Sequence, residues 1–174
     1  MILLAQLTAE EGSSALARLA EPWNALYSDS KVVSATVIFL HLVPLLVAGG
    51  AALSSDRATL RAARGSAEDR TRHLRDLSRI HALVLGGLAL SFVSGVMLFL
   101  ADVDEFLGSP LFWLKLTFVG LLLLNGFVMT RTERSLATGG DEPMLWGRLR
   151  TTSVLSQFLW ITTTLVGVVL MTYA

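Results

Sequence analysis

The stretch Thr36–Gly50, TVIFLHLVPLLVAGG, holds one histidine, His41, and one proline, Pro44, within a run that is otherwise lipid-soluble. A helix crossing the roughly 30 Å of bilayer hydrocarbon needs about 20 mostly apolar residues. Extended to about 32–53, this stretch meets that requirement, and three further segments do so at about 81–101, 111–130 and 151–173. They use up most of the 174 residues. The composition agrees: 53% of residues are hydrophobic and only 16% charged, against about a quarter in a soluble domain. Mean hydropathy is +0.61.

The formal net charge of zero conceals a segregation of signs. Arg57, Arg61, Arg64, Arg70, Arg72, Arg75 and Arg79 lie between the first and second segments, and Arg131, Arg134, Arg148 and Arg150 between the third and fourth. Eleven of the fourteen basic residues thus fall in two connections on one side. The connection from Asp102 to Pro110 has none and carries Asp102, Asp104 and Glu105. By the positive-inside rule the arginine connections are cytoplasmic and both termini lie outside; the expected location is a bacterial inner membrane. The expected fold class is all-α: a polytopic, antiparallel four-helix transmembrane bundle (31–174) with an outer, periplasmic N-terminal tail (1–30). The short connections enforce antiparallel neighbours.

Within that tail, SSALARLAEPWNALYSDS opens with serine cap candidates and spaces Leu16, Leu19, Trp23, Leu26 and Tyr27 helically. It reads as a short amphipathic element on the outer surface, bent or broken at Pro22, or as a docking surface for a partner. The first residues, MILLAQL, are too short a run for a secretory signal. On the other side, Ser66 is a candidate cap followed by Glu68 and Asp69, with no breaker before the second segment. Helix two is therefore expected to begin near 67 and project into the cytoplasm. Small residues recur on it at Gly87, Ser91, Ser94 and Gly95, and span four carries Ser153, Ser156, Gln157, Trp160, Thr163, Thr164 and Gly167. Such stripes face protein.

Few residues are equipped for chemistry. The chain has no cysteine, which removes disulfides, thiolate metal sites and iron–sulfur clusters. An ionisable residue within a membrane is costly, so His41 is the leading candidate. It shares a face with Ser34, Ile38, Leu45, Ala48 and Ala52. Three roles fit: a packed, hydrogen-bonded imidazole, a ligand to haem b or another metal, or a proton carrier. A b-type haem asks for two histidines at one depth, and the other candidate, His81, sits roughly 18 Å away in depth. Met97, Met129 and Met171 also lie in spans, but no spacing selects one as a partner. His73 and His81 read as interfacial histidines or as a pH-sensitive contact.

Lys115 reads as an anchor that snorkels outward or pairs with Asp102, Asp104 or Glu105, and alternatively as a substrate-binding lysine. The acidic trio reads as a solvated turn, a divalent cation site being the alternative. Asn125, in mid-span, is expected to bond a polar residue of span four such as Gln157 or Thr163, or else a quinone carbonyl. The string GGDEP, Gly139–Pro143, imitates a cyclase signature without an α/β domain around it and reads as a turn.

The stretches HLVPLLVAGG, SGVMLFLAD and SPLFWLKL resemble small four-span bacterial membrane proteins, including the membrane part of the copper resistance protein D family, over about residues 31–133. The resemblance implies the bundle architecture and a histidine or metal role for His41. Two functional expectations follow. One is a non-catalytic accessory or scaffolding subunit, partnered by lipid and by the chains of a larger respiratory or photosynthetic complex. The other is a haem b or quinone-associated electron carrier using His41. Nothing points to nucleic acid.

Overall fold

The computed structural model describes the backbone of residues 2–139 and 143–173, and side chains from residue 15 onward except those of 78, 79 and 173. Six helices follow in order: α1 (Ile2–Asp29), α2 (Lys31–Ala62), α3 (Ala67–Ala101), α4 (Val103–Gly108), α5 (Pro110–Gly139) and α6 (Pro143–Tyr173). Four of them, α2, α3, α5 and α6, are long and apolar enough to cross a membrane. No strand occurs among the described residues. The turn expected at GGDEP falls largely on 140–142, outside the described residues.

Local signals mark the helix boundaries. Ser30 caps α2 by accepting from the Val33 N–H. At α3, Ser66 accepts from Asp69 N–H at 3.2 Å while Asp69 Oδ2 accepts from Ser66 N–H at 3.1 Å, a reciprocal capping box. Proline opens both α5 and α6, where a missing N–H costs nothing.

The N-terminal region departs from expectation. It is one helix of 28 residues; Ser13 and Ser14 lie inside it, and Pro22 does not end it. Its far half is held from outside itself: Trp23 Nε1 donates to Met97 O at 2.8 Å, and the Asn24 side-chain amide donates to Ala101 O. The Ala101 carbonyl lies in the last turn of α3, where no i+4 donor is left for it, and the Met97 carbonyl lies just before that turn. The connection at Asp102 is likewise helical: its Oδ1 accepts from Glu105 N–H at 3.3 Å and caps α4.

The long helices form two antiparallel hairpins, α2 with α3 and α5 with α6, joined along a seam between α2 and α6. Matched residues show the direction: His41 meets Ser91, Ala48 meets Gly87, and Thr59 meets His73. In the second hairpin Asn125 meets Thr152. Across the seam Gly49 lies against the Trp160 ring. By contrast α3 and α5 scarcely touch, so one side of the bundle stands open.

The burial pattern is inside-out. Phe39, Leu46, Leu85, Phe92, Phe127, Phe158, Ile161 and Leu165 are exposed, whereas Ser55, Asp56, Thr59, Ser91, Ser94, Asn125, Glu133, Ser153, Ser156 and Thr163 are buried. Apolar cores do exist, around Leu149, Trp146 and Leu136 at one end and around Ala48, Leu159 and Trp160 further along. Elsewhere the helices meet through small or polar residues.

Glycines separate tight contacts from open ones. A Cβ on Gly87 would sit 2.8 Å from the Ala48 Cβ and 2.9 Å from Pro44 O, whereas one on Gly86 would meet nothing within 4 Å. Gly87→Ala should therefore force α2 and α3 apart and cost about 1–3 kcal/mol. Gly86→Ala should stabilise by up to about 1 kcal/mol through helix propensity. Unfolding of the two variants in one detergent tests the difference in sign.

Candidate functional site

His41 is embedded in the α2–α3 contact. Its Nδ1 lies 2.9 Å from Ser91 O, and Ser91 Oγ in return donates to His41 O at 3.1 Å. Gly95 makes room for the ring: a Cβ there would stand 3.1 Å from His41 Cε1. One turn on, Pro44 lacks the N–H that would bond Leu40 O. Ser94 Oγ reaches that orphaned carbonyl at 3.2 Å, sharing its proton with its own helix at Leu90 O, 2.9 Å away. The kink-prone turn of α2 is thus satisfied by α3, as irregular backbone in an apolar medium must be.

The pairing of His41 with Ser91 also measures the separation of the two histidines. His81 lies ten residues along α3 from Ser91, a rise of about 15 Å. Two axial ligands of one iron cannot be that far apart, so a haem held by His41 and His81 together does not fit.

The other singled-out residues take specific places. His73 Nε2 lies 2.7 Å from Thr59 Oγ1 and ties α3 to the end of α2. Asn125 does bond span four, but through the backbone: its Nδ2 donates to Thr152 O at 3.0 Å. Among the described residues Thr163 Oγ1 has no partner, and Gln157 is half-buried without a hydrogen bond. Lys115 turns inward, not outward: its Nζ would lie 3.6 Å from a Cβ on Gly167 of α6, and its charge reaches His41. Among the described residues no carboxylate lies within ion-pair distance of it. The acidic trio stays exposed. Within it, hydrogen bonding to Asp102 and then the Asp102 charge push the Glu105 carboxyl above its ordinary value. No metal-sized group of three or more His, Cys, Asp or Glu occurs among the described residues.

The open side of the bundle brings His81, Ser156 and Trp160 together with two acids that the sequence reading did not single out, Asp56 and Glu133. A crevice of about 640 Å³ enters between α3 and α5, walled by residues that include Val84, Leu85, Leu88, Leu122, Leu123 and Phe127. Its inner end carries Asp56 of α2, His81 of α3, Glu133 of α5, and Ser156 and Trp160 of α6. His81 Nδ1 lies 3.4 Å from Glu133 Oε2. Ser153 and Ser156 face the Asp56 carboxyl, and Glu133 is close enough to feel its charge. Arg131 and Arg134 line the same crevice from exposed positions on α5.

A signal for this set does exist in the sequence. Steps of four along the His41 face of α2 pass Ala48 and Ala52 to reach Asp56, and steps of four from Asn125 pass Met129 to reach Glu133. Both acids fall three residues beyond the spans drawn from hydropathy, among arginines, and so look like part of a solvated connection. The chain continues as helix through both, and the four-residue rule keeps them on the inner face.

The proline–serine pair gives a coupling test. Ser94→Ala should cost about 0.5–1.5 kcal/mol; in a Pro44→Ala background, where Leu40 O regains a backbone donor, the same change should cost less. A double-mutant cycle on unfolding free energies reads the difference.

Comparison of the chain with protein-family models, with curated proteins and with solved structures finds no match.

Proposed function

We propose that this chain is a four-span integral membrane protein with its arginine end cytoplasmic and both termini on the opposite side, serving as a non-catalytic accessory subunit of a larger membrane complex. The observation that carries the reading is the inside-out burial: aromatic and aliphatic side chains cover the outside while hydroxyls, an amide and carboxyls fill the inside. In water that outer surface would be an aggregation liability; in lipid it is the expected one. The accessory role draws on how the polar residues are used. The imidazoles of His41 and His73 and the Asn125 amide bond one helix to another.

A rival reading, a haem b or quinone-associated electron carrier at His41, draws on one bond. Its Nδ1 rests on a backbone carbonyl, the arrangement that orients imidazole ligands. The 15 Å separation from His81 leaves that iron without its obvious second histidine.

The absence of native cysteine makes topology directly measurable. In spheroplasts an impermeant maleimide should label Asp104→Cys and spare Thr138→Cys, both exposed positions. The reverse pattern would invert the orientation. Stable partner chains should co-purify from native membranes, and isolation only as a lone homo-oligomer would remove the accessory role. A dithionite-reduced spectrum showing a Soret band that His41→Ala abolishes would replace that role with the rival one.

A further inference from the structure

Two residues that line the α3–α5 crevice carry an oxygen without a hydrogen-bond partner among the described residues, Asp56 Oδ2 and Glu133 Oε1, and a third such oxygen, Ser153 Oγ, lies beside the Asp56 carboxyl outside the crevice lining. They belong to residues 2%, 7% and 0% exposed, on three different helices. Burying such groups unpaired costs on the order of 1–3 kcal/mol each. Ser153 and Ser156 bring hydroxyls to the Asp56 carboxyl, so the oxygens left for a further donor or a cation are those of the two carboxyls. His81 occupies only the second oxygen of Glu133.

The space leading to these atoms has a different character. At about 640 Å³ it lies within the size range of small-molecule sites, and its walls are aliphatic and aromatic up to the polar end. A ligand complementary to both parts has a hydrocarbon body and a head rich in N–H donors. A quinone head presents carbonyl acceptors and would leave the carboxyl oxygens unsatisfied. A bare metal cation would leave the apolar walls unfilled.

We propose that the crevice binds an amphipathic primary amine, its ammonium group donating to the Asp56 and Glu133 carboxyls, its hydrocarbon lying along Leu85, Leu88, Leu122 and Phe127. An ammonium carries three N–H donors, enough to reach both carboxyls at once. A bound ammonium favours the ionised form of both carboxyls, as a neutral donor does not. Arg131 and Arg134 stand at exposed positions along the crevice, where their charge is screened, and Arg131 lies over the Phe127 ring. The gap between α3 and α5 lets the ligand arrive sideways, from within the lipid. The site rests on the membrane reading above only for that route of entry.

The test is calorimetric titration of octylamine into the full chain in lipid nanodiscs, with empty nanodiscs subtracted. Saturable binding at one site per chain is expected, weakened at least tenfold by Asp56→Asn and by Glu133→Gln. Octyltrimethylammonium, with the same charge but no N–H, should bind at least tenfold more weakly. Gly126→Leu supplies a variant that leaves the carboxyls intact: Gly126 lines the crevice and a Cβ there meets nothing within 4 Å, so added bulk should block binding without unfolding the chain. Non-saturable uptake, equal binding of octyltrimethylammonium, or undiminished binding by Gly126→Leu with an unchanged melting temperature would overturn the proposal. Displacement of octylamine by sodium at constant ionic strength would assign the oxygens to a metal cation and overturn it as well. A failed cysteine-labelling result would strike the membrane orientation and leave this titration standing.

Discussion

Pro44 sets the terms for the first half of the bundle. It removes one N–H from the middle of α2, a helix long and apolar enough to cross a membrane, and orphans Leu40 O. The replacement comes from Ser94 on α3, and it can arrive only because the two helices lie unusually close. That closeness is made by Gly87 against Ala48 and Pro44 O, and by Gly95 against the His41 ring. The reciprocal bonds between His41 and Ser91 then fix the register. A helix defect, a small-residue face and a histidine are thus three parts of one contact, and the histidine that looks most like a ligand is spent on holding two helices together.

The same economy explains the open side. The α2–α3 hairpin closes through a small-residue face at Gly87 and Gly95, and α6 packs on α2 where Gly49 receives Trp160. No comparable face on α3 looks toward α5; Leu85 and Leu88 on one side and Leu122, Leu123 and Phe127 on the other keep the backbones apart. The crevice is therefore a consequence of side-chain size, and each of the four long helices contributes polar atoms to its inner end.

Much of the architecture is legible without coordinates because hydrophobic length and capping are local properties. Four long apolar helices, the beginning of α3 at Ser66 and the prolines that open α5 and α6 follow from residues close together in the chain. The N-terminal helix is less legible. Its length past Pro22 goes with bonds from Trp23 and Asn24 to carbonyls more than 70 residues away, and no local pattern announces such partners.

The candidate site divides along the same line. That His41 and Asn125 must find partners within the protein was determined by the sequence alone, since lipid offers none. Which atoms they found was decided by the tertiary structure: a Ser91 carbonyl and a Thr152 carbonyl, neither of them a side chain that a polarity scan would nominate. Asp56 and Glu133 make the sharper case. In sequence they sit among arginines and look solvated, because hydropathy averages over a window and ignores the direction in which a side chain points. Only the antiparallel register of four continuous helices turns both inward, beside Ser153 and Ser156, where burial makes an unpartnered oxygen costly.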